Sequence, residues 1–568
     1  MGLYAKLPDA INEVDVIIAG GGTAGCVVAS RLADTDPGLS VLVIEGGPNN
    51  DVPTVEIPAS FLAHLSPESK TNRFYLTKKS PEVADRSLVL PTGSILGGGS
   101  STNFMMYSRA QRSDWDSWNT PGWYADEMLP FLQKLETYHG DDAKGVHGHE
   151  GPIQISRGTY NSPRIEDEFI AAAKNVGWLE VPDSSDLDSI NAVWRAKRFI
   201  SPSGERQDVA STYLHPRLRD GKHPNLHVLV ESQVSRILID ESRRAYGVEF
   251  RPSPVFHTDR MEQPPRSVRA RKLVIASSGA CGTPPLLERS GVGDSEILTR
   301  AGVPVLVDLP GVGNGYEDHH LLVYPYFSNL APADTLDKFI YGSQETQEKL
   351  IENKHKMLGW NAQEIQGKVR PTESEVAALG PEFQAAWDRE VQAEPRQAIS
   401  NHYCNCRFPR RPAPHHRRPL PLHDDDPVDF ETGFFADPGQ LDVKKHMWMY
   451  KKQREPVPVP PVSGSPTARC PPGVPDIEYS AEDDAVLERW LREKVGTTWH
   501  SLGTCKMLPR DEMGVVDPSL GVHGVQNLKI ADLSIPPRNV AANTNNTALA
   551  IGERAADIFI KELGLGSA

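Results

Sequence analysis

Near its start the chain reads VDVIIAGGGTAGCVVASRLA, Val14 to Ala33. The apolar run Val14 to Ala19 reads as a buried parallel strand. Gly20, Gly22 and Gly25 follow as G-x-G-x-x-G, and CVVASRLA continues as an apolar helix with no breaker. A second apolar strand, SVLVIE, ends at Glu45, twenty residues past Gly25. This order of strand, glycine turn, helix, strand and acid commits the chain to a Rossmann-like α/β start that binds a dinucleotide. Gly20 allows the tight turn, Gly22 lets a pyrophosphate approach the backbone, and Gly25 lets helix and strand pack closely. The helix N-terminus favours the negative charge, and Glu45 is placed to accept hydrogen bonds from a ribose. The fingerprint alone does not separate NAD from FAD.

At 568 residues the chain is too long for one simple core, so two domains or one composite unit are expected. A net charge of −15 argues against nucleic acid as a partner. No apolar run approaches the ~20 residues of a membrane helix. Neither the MGLYAK start nor the GLGSA end reads as a signal peptide, a myristoylation site or an S-K-L address. Six cysteines in so long a chain read as reduced thiols, which suits the cytoplasm or a peroxisome. His402, Cys404, Cys406, His415 and His416 fit no zinc spacing, so no metal is expected.

A second donor-rich loop lies in PTGSILGGGSSTNFMMYSRA, where Gly97, Gly98 and Gly99 precede Ser100 and Ser101. Its N–H groups and hydroxyls suit phosphate oxygens, and two such loops suit a long dinucleotide. SSGACGTPPLLERSGVG (Ser277 to Gly293) and LPGVGNGYEDH (Leu309 to His319) follow the strand-like KLVIAS and VPVLVDL.

On these segments, and on the tail HSLGTCKM…VQNLKIADLSIPP…NTNNTALAIGERAAD, the chain resembles the glucose-methanol-choline (GMC) flavoprotein oxidoreductases. Within the family it is most similar to fungal alcohol (methanol) oxidases, over residues ~10–400 and 427–565. The resemblance implies an FAD-binding domain from 1–160, 208–318 and 500–568. An interleaved α+β substrate domain, built on an antiparallel sheet, takes 161–207 and 319–499. It implies FAD lined by Gly20, Gly22, Gly25, Glu45, Gly98, Ser101, Asn103, Val234 and Asp532. Members that hold FAD covalently have a histidine after the paired serines; here Thr102 stands there, so the FAD is expected to be non-covalent. His500 matches the family's catalytic histidine, and Asn543, nine residues before Gly552-Glu553, its second catalytic residue. By its local sequence alone His500 reads more readily as a core histidine. Phe104 and Trp499 are placed by the resemblance where they crowd a short alcohol, or they are ordinary core aromatics. The expected partners are a small alcohol and O2, with a homo-oligomeric assembly.

The leading function is oxidation of a primary, short-chain alcohol to an aldehyde with reduction of O2 to H2O2. A GMC dehydrogenase or tailoring oxidase of a larger alcohol, and an FAD-binding chain without turnover, stand as alternatives. The last gains weight from 402–426, rich in Pro, Arg and His, and from the proline-rich 456–475. These are either unusual surface loops or the product of a wrong frame or retained intron. The second reading accounts for the absent apolar strands and leaves the substrate domain incomplete.

Overall fold

The computed structural model describes residues 2–257, 264–324, 330–390, 400–405, 428–455 and 481–566. The chain begins with β1 (Gly2–Tyr4), β2 (Glu13–Ala19), α1 (Thr23–Thr35) and β3 (Val41–Ile44). It returns to the same sheet as β4 (Leu226–Leu229), β5 (Ser232–Ile239), β6 (Ala245–Pro252) and β7 (Arg266–Ala276). The tail adds β8 (Leu528–Ile530) and α2 (Thr544–Glu562). Among the described residues the strands form one eight-stranded sheet, ordered β1-β4-β3-β2-β7-β6-β5, with β8 also on β7.

The pairings from β1 through β7, and that of β8 on β7, are parallel, while β5, β6 and β7 pair antiparallel. Length explains how β7 serves both arrangements. Its first residues pair with β6, and its last, Val274 to Ala276, with Leu528 to Ile530. Val16 to Ala19, Val41 to Val43 and Val274 to Ala276 are wholly buried, as strands covered on both faces must be. α1 packs on α2 at close range: a Cβ on Gly552 would lie 2.9 Å from Val27 Cβ and 3.1 Å from Ala24 Cα. Arg31 Nε and Nη2 clamp the buried Glu553 carboxylate at 2.7–3.0 Å, tying the first helix to the last.

The apolar run LHVLVESQVSRILI, residues 226–239, is not one strand. It breaks at Glu231, whose φ of 55° is left-handed. β4 therefore joins β3 inside the sheet while β5 lies at its far edge. VPVLVDL pairs only at Val307–Asp308, with Val292–Gly293, in a separate two-stranded piece. Pro304 within it lacks the N–H a longer ladder needs.

A second, four-stranded sheet runs Ser400–Asn405, Gln363–Val369, Ala192–Arg195 and Leu179–Glu180. Its first three strands are antiparallel and its last pair is parallel. Residues 402–405, taken from sequence as the start of a patternless stretch, thus belong to a strand. Edge pairing uses backbone groups and needs no alternation of side chains. The remainder of that stretch, and 456–475, lie outside the described residues. Pro163–Asn175, Ala481–Lys494 and the pair Glu373–Ala378 and Pro381–Glu390 are helices, the last two separated at Gly380-Pro381.

Candidate active site

The glycines at the end of β2 are constrained one by one. Gly20 has φ 114°, and a Cβ there would lie 2.2 Å from the Ser277 carbonyl oxygen. A Cβ on Gly25 would lie 2.3 Å from the Gly20 carbonyl oxygen. Gly22, the N-cap of α1, differs: its φ of −79° suits any residue, and a Cβ would meet nothing nearer than 3.7 Å. Its outer face is open. The second glycine loop lies directly against it. Gly97 N–H donates to the Gly21 carbonyl at 2.8 Å, and Gly98, at φ 55°, has no room for a Cβ over Gly22 Cα.

Both loops line one cavity of about 2140 Å3, shared with Glu45, Asn103, Val234 and Asp532. Ordinary small-ligand pockets hold ~300–1,000 Å3, so this one suits a dinucleotide together with a substrate. Gly22, the N-cap of α1, makes no side-chain cap bond, and no acid lies in the first turn of that helix. Cβ atoms on Gly99 and Gly279, also lining residues, would meet no atom within 4 Å. An open backbone floor before an uncapped helix N-terminus fits a diphosphate, so the residues present fit FAD.

Glu45 accepts from Gly21 N–H at 2.9 Å and Gly47 N–H at 2.8 Å, and burial pushes its carboxyl up to about 7. Asp532 is engaged by Gly279 N–H, the Thr283 hydroxyl and Ser534 N–H at 2.6–2.9 Å. Ser101 does not line the cavity. Fully buried, it donates to the Leu96 carbonyl at 2.8 Å and braces the loop from beneath, while Thr102 takes the wall. Gly25 likewise acts through packing beneath the floor.

His500, Asn543, Phe104 and Trp499 come together on the same cavity. The His500 loop is fixed by an antiparallel pairing of His320–Leu321 with Gly496–Thr497, and by reciprocal N–H to carbonyl bonds between Glu317 and Leu502. Trp499 takes the left-handed φ of 64°, turning the loop between ladder and His500. Its ring meets Phe104 edge-on at 5.2 Å, and Phe104 meets Phe61 at 4.5 Å. Asn543 is the N-cap residue of α2, and its Nδ2 lies 3.4 Å from His500 Nε2.

Three residues beyond the sequence assignments complete the group. His319 Nδ1 lies 2.9 Å from His500 Nδ1. Asp318 Oδ1 accepts from His319 N–H at 2.7 Å and His500 N–H at 2.9 Å, and Oδ2 from Tyr316 at 2.9 Å and from Thr497. Ser108 Oγ is bonded to both the backbone and side chain of Asn543. The run Glu317-Asp318-His319-His320, closing a glycine-rich loop, is the sequence signal for the first two; Ser108 has none. Burial holds His500 well below the ordinary histidine value and His319 at about 4, and pushes Asp318 up to about 6. His500 is therefore neutral near pH 7, as a proton acceptor must be.

Models of the GMC oxidoreductase family match residues 14–321 (N-terminal part) and 421–552 (C-terminal part). Alcohol oxidases of Candida boidinii and Pichia angusta are 34% and 32% identical, over 97% of this chain and 96% of their own lengths. The first alignment spans 643 positions against 568 residues here, so that relative carries stretches without a counterpart. An FAD-dependent oxidoreductase from Chaetomium thermophilum superposes with a TM-score of 0.80 at 25% identity, over 97% of this chain and all of that one.

Proposed function

The chain belongs to the GMC oxidoreductase family of FAD-dependent enzymes acting on alcohols, and we propose that it oxidises a primary, short-chain alcohol to the aldehyde with reduction of O2 to H2O2. The observation that carries this reading is the His500–Asn543 pair, 3.4 Å apart on the cavity that the two glycine loops floor. FAD, when bound, supplies the hydride acceptor and hands the electrons on to O2. The chain's own residues handle the proton and the oxygen. His500 Nε2 takes the hydroxyl proton, worth about 10²–10⁴ in rate. Asn543 Nδ2 donates to the same oxygen as it gains negative charge. Phe104 and Trp499 form the wall that limits substrate length and keeps water out.

Gly22, Gly98 and the α1 N-terminus hold the diphosphate, with Glu45 at the ribose and the backbone of Val234 at the adenine. We assign 1–160, 208–318 and 500–568 to the cofactor domain, and 161–207 and 319–499 to the substrate domain. Thr102 offers a hydroxyl and no imidazole for a covalent link, so the flavin is held without one; acid precipitation releases it into the supernatant. Turnover with a homologous series of primary alcohols tests the whole reading. The expected result is one H2O2 per O2 consumed and a kcat/KM that falls beyond the shortest members. Preference for long or aromatic alcohols, or turnover without peroxide, contradicts it.

A further inference from the structure

Two imidazoles whose Nδ1 atoms lie 2.9 Å apart need one donor and one acceptor. The surrounding contacts decide which is which. Asn543, on the other side of His500, fixes the assignment: if His500 Nε2 is the bare nitrogen, its proton sits on Nδ1 and His319 Nδ1 accepts it, with the His319 proton on Nε2. The Ser108 hydroxyl accepts from Asn543 N–H and donates its own proton to Asn543 Oδ1, both at 3.0 Å. That turns the donor Nδ2 toward His500 Nε2, and a donor there requires a lone pair in front of it. Asp318 Oδ1, accepting from both backbone N–H groups, keeps the two histidines in register.

We propose that His319 is a positioning residue of the reaction: it accepts at Nδ1 from His500 and so fixes the tautomer whose Nε2 faces the alcohol. This rests on the reading of His500 as the base. The proton balance is simple. The alcohol O–H breaks, the His500 Nε2–H forms, and His319 keeps its own proton throughout. A neutral imidazole behind the base also differs from a carboxylate. It orients without attracting positive charge, so His500 stays unprotonated far into acid. The titratable groups nearby are Asp318, whose neighbours are Tyr316 and Cys281, and His320, next to His319. Glu317 is paired with Lys506 at 2.6 Å, Arg538 lines the same cavity, and the α2 N-terminus lines it with the uncharged Asn543, Thr544 and Asn545.

The test is anaerobic reduction of the holoenzyme by a primary alcohol, followed by flavin absorbance from acid to alkaline pH. His319→Asp places a carboxylate behind His500 and is expected to move the acid limb upward by about one to three units. His319→Leu removes the acceptor and is expected to slow reduction at least about tenfold, with alcohol affinity little changed. His319→Asn restores most of the rate, because its amide oxygen can stand where Nδ1 stood. FAD content and unfolding temperature verify each variant, and if His319→Leu does not fold, the other two decide. An unmoved acid limb in His319→Asp, or no recovery in His319→Asn, overturns the proposal. His500→Ala separates the two claims: undiminished reduction removes the base itself. A dead His500→Ala beside an unmoved His319→Asp limb removes only the role of His319.

Discussion

Alanine at Gly22 and at Gly25 adds the same methyl group three residues apart, with different consequences. At Gly25 the new Cβ would lie 2.3 Å from the Gly20 carbonyl oxygen, 3.0 Å from Ser277 Oγ and 3.3 Å from Ile18 Cγ2. Two of those neighbours are backbone and core, so helix and turn must separate by about an ångström. Overpacking of this kind costs about 1–3 kcal/mol, offset by up to about 1 kcal/mol of helix propensity. At Gly22 the backbone is already in a region open to alanine, and the nearest atom is 3.7 Å away. An alanine N-cap in place of glycine costs no more than about 1 kcal/mol. Yet its methyl stands on the floor before the first N–H groups of α1. Each hydrogen bond to a charged phosphate lost there is worth about 1.5–3 kcal/mol, and each 1.4 kcal/mol is about tenfold in affinity. The assay pairs thermal unfolding of the apoprotein with FAD titration followed by flavin fluorescence. Gly22→Ala is expected to unfold within a few degrees of the parent and to bind FAD at least about tenfold more weakly. Gly25→Ala is expected to lower the unfolding temperature as well. Undiminished FAD affinity in Gly22→Ala would mean that the open floor is not where the diphosphate sits.

Asn543→Ala removes a donor without removing a cap, since the Asn543 side chain makes no capping bond to α2; kcat is expected to fall about 10²-fold with the unfolding temperature nearly unchanged, read from turnover and calorimetry. Burial raises the Glu45 carboxyl from 4.5 to about 7. A raised folded-state value means the folded chain holds a proton that the unfolded chain has released, so this contribution to stability is complete below about 4.5 and is lost as pH rises through 7. It amounts to about 3 kcal/mol, and unfolding of the apoprotein at acid and alkaline pH should show Glu45→Gln with a flatter profile. Trimming the wall with Phe104→Ala or Trp499→Ala is expected to raise kcat/KM for longer alcohols relative to methanol by about tenfold or more. Unchanged selectivity in both would make these two rings ordinary core aromatics.

Gly20 and Gly25 were legible because each answers a backbone requirement, a left-handed turn or a close approach, that sequence spacing expresses directly. Depth was not. Ser101 and Thr102 are neighbours in a short helical turn, and only the turn's rotation decides that Thr102 reaches the cavity while Ser101 points beneath it. Strand breaks were also hidden, because Glu231 in a left-handed conformation looks like any other residue in an apolar run. His319 escaped assignment for a different reason. Its contact with His500 joins positions 181 residues apart, and no local period encodes it. The antiparallel pairing of 320–321 with 496–497 creates it.

The central claim is that His500 takes the alcohol proton in a cavity that holds FAD. Its most direct measurement is the visible flavin spectrum of the holoenzyme mixed anaerobically with a primary alcohol, for the parent chain and for His500→Ala. The parent should bleach, while the variant should retain its FAD and bleach at least about 100-fold more slowly. A His500→Ala protein that bleaches at the parental rate, or a parent that stays yellow with every alcohol offered, contradicts the claim.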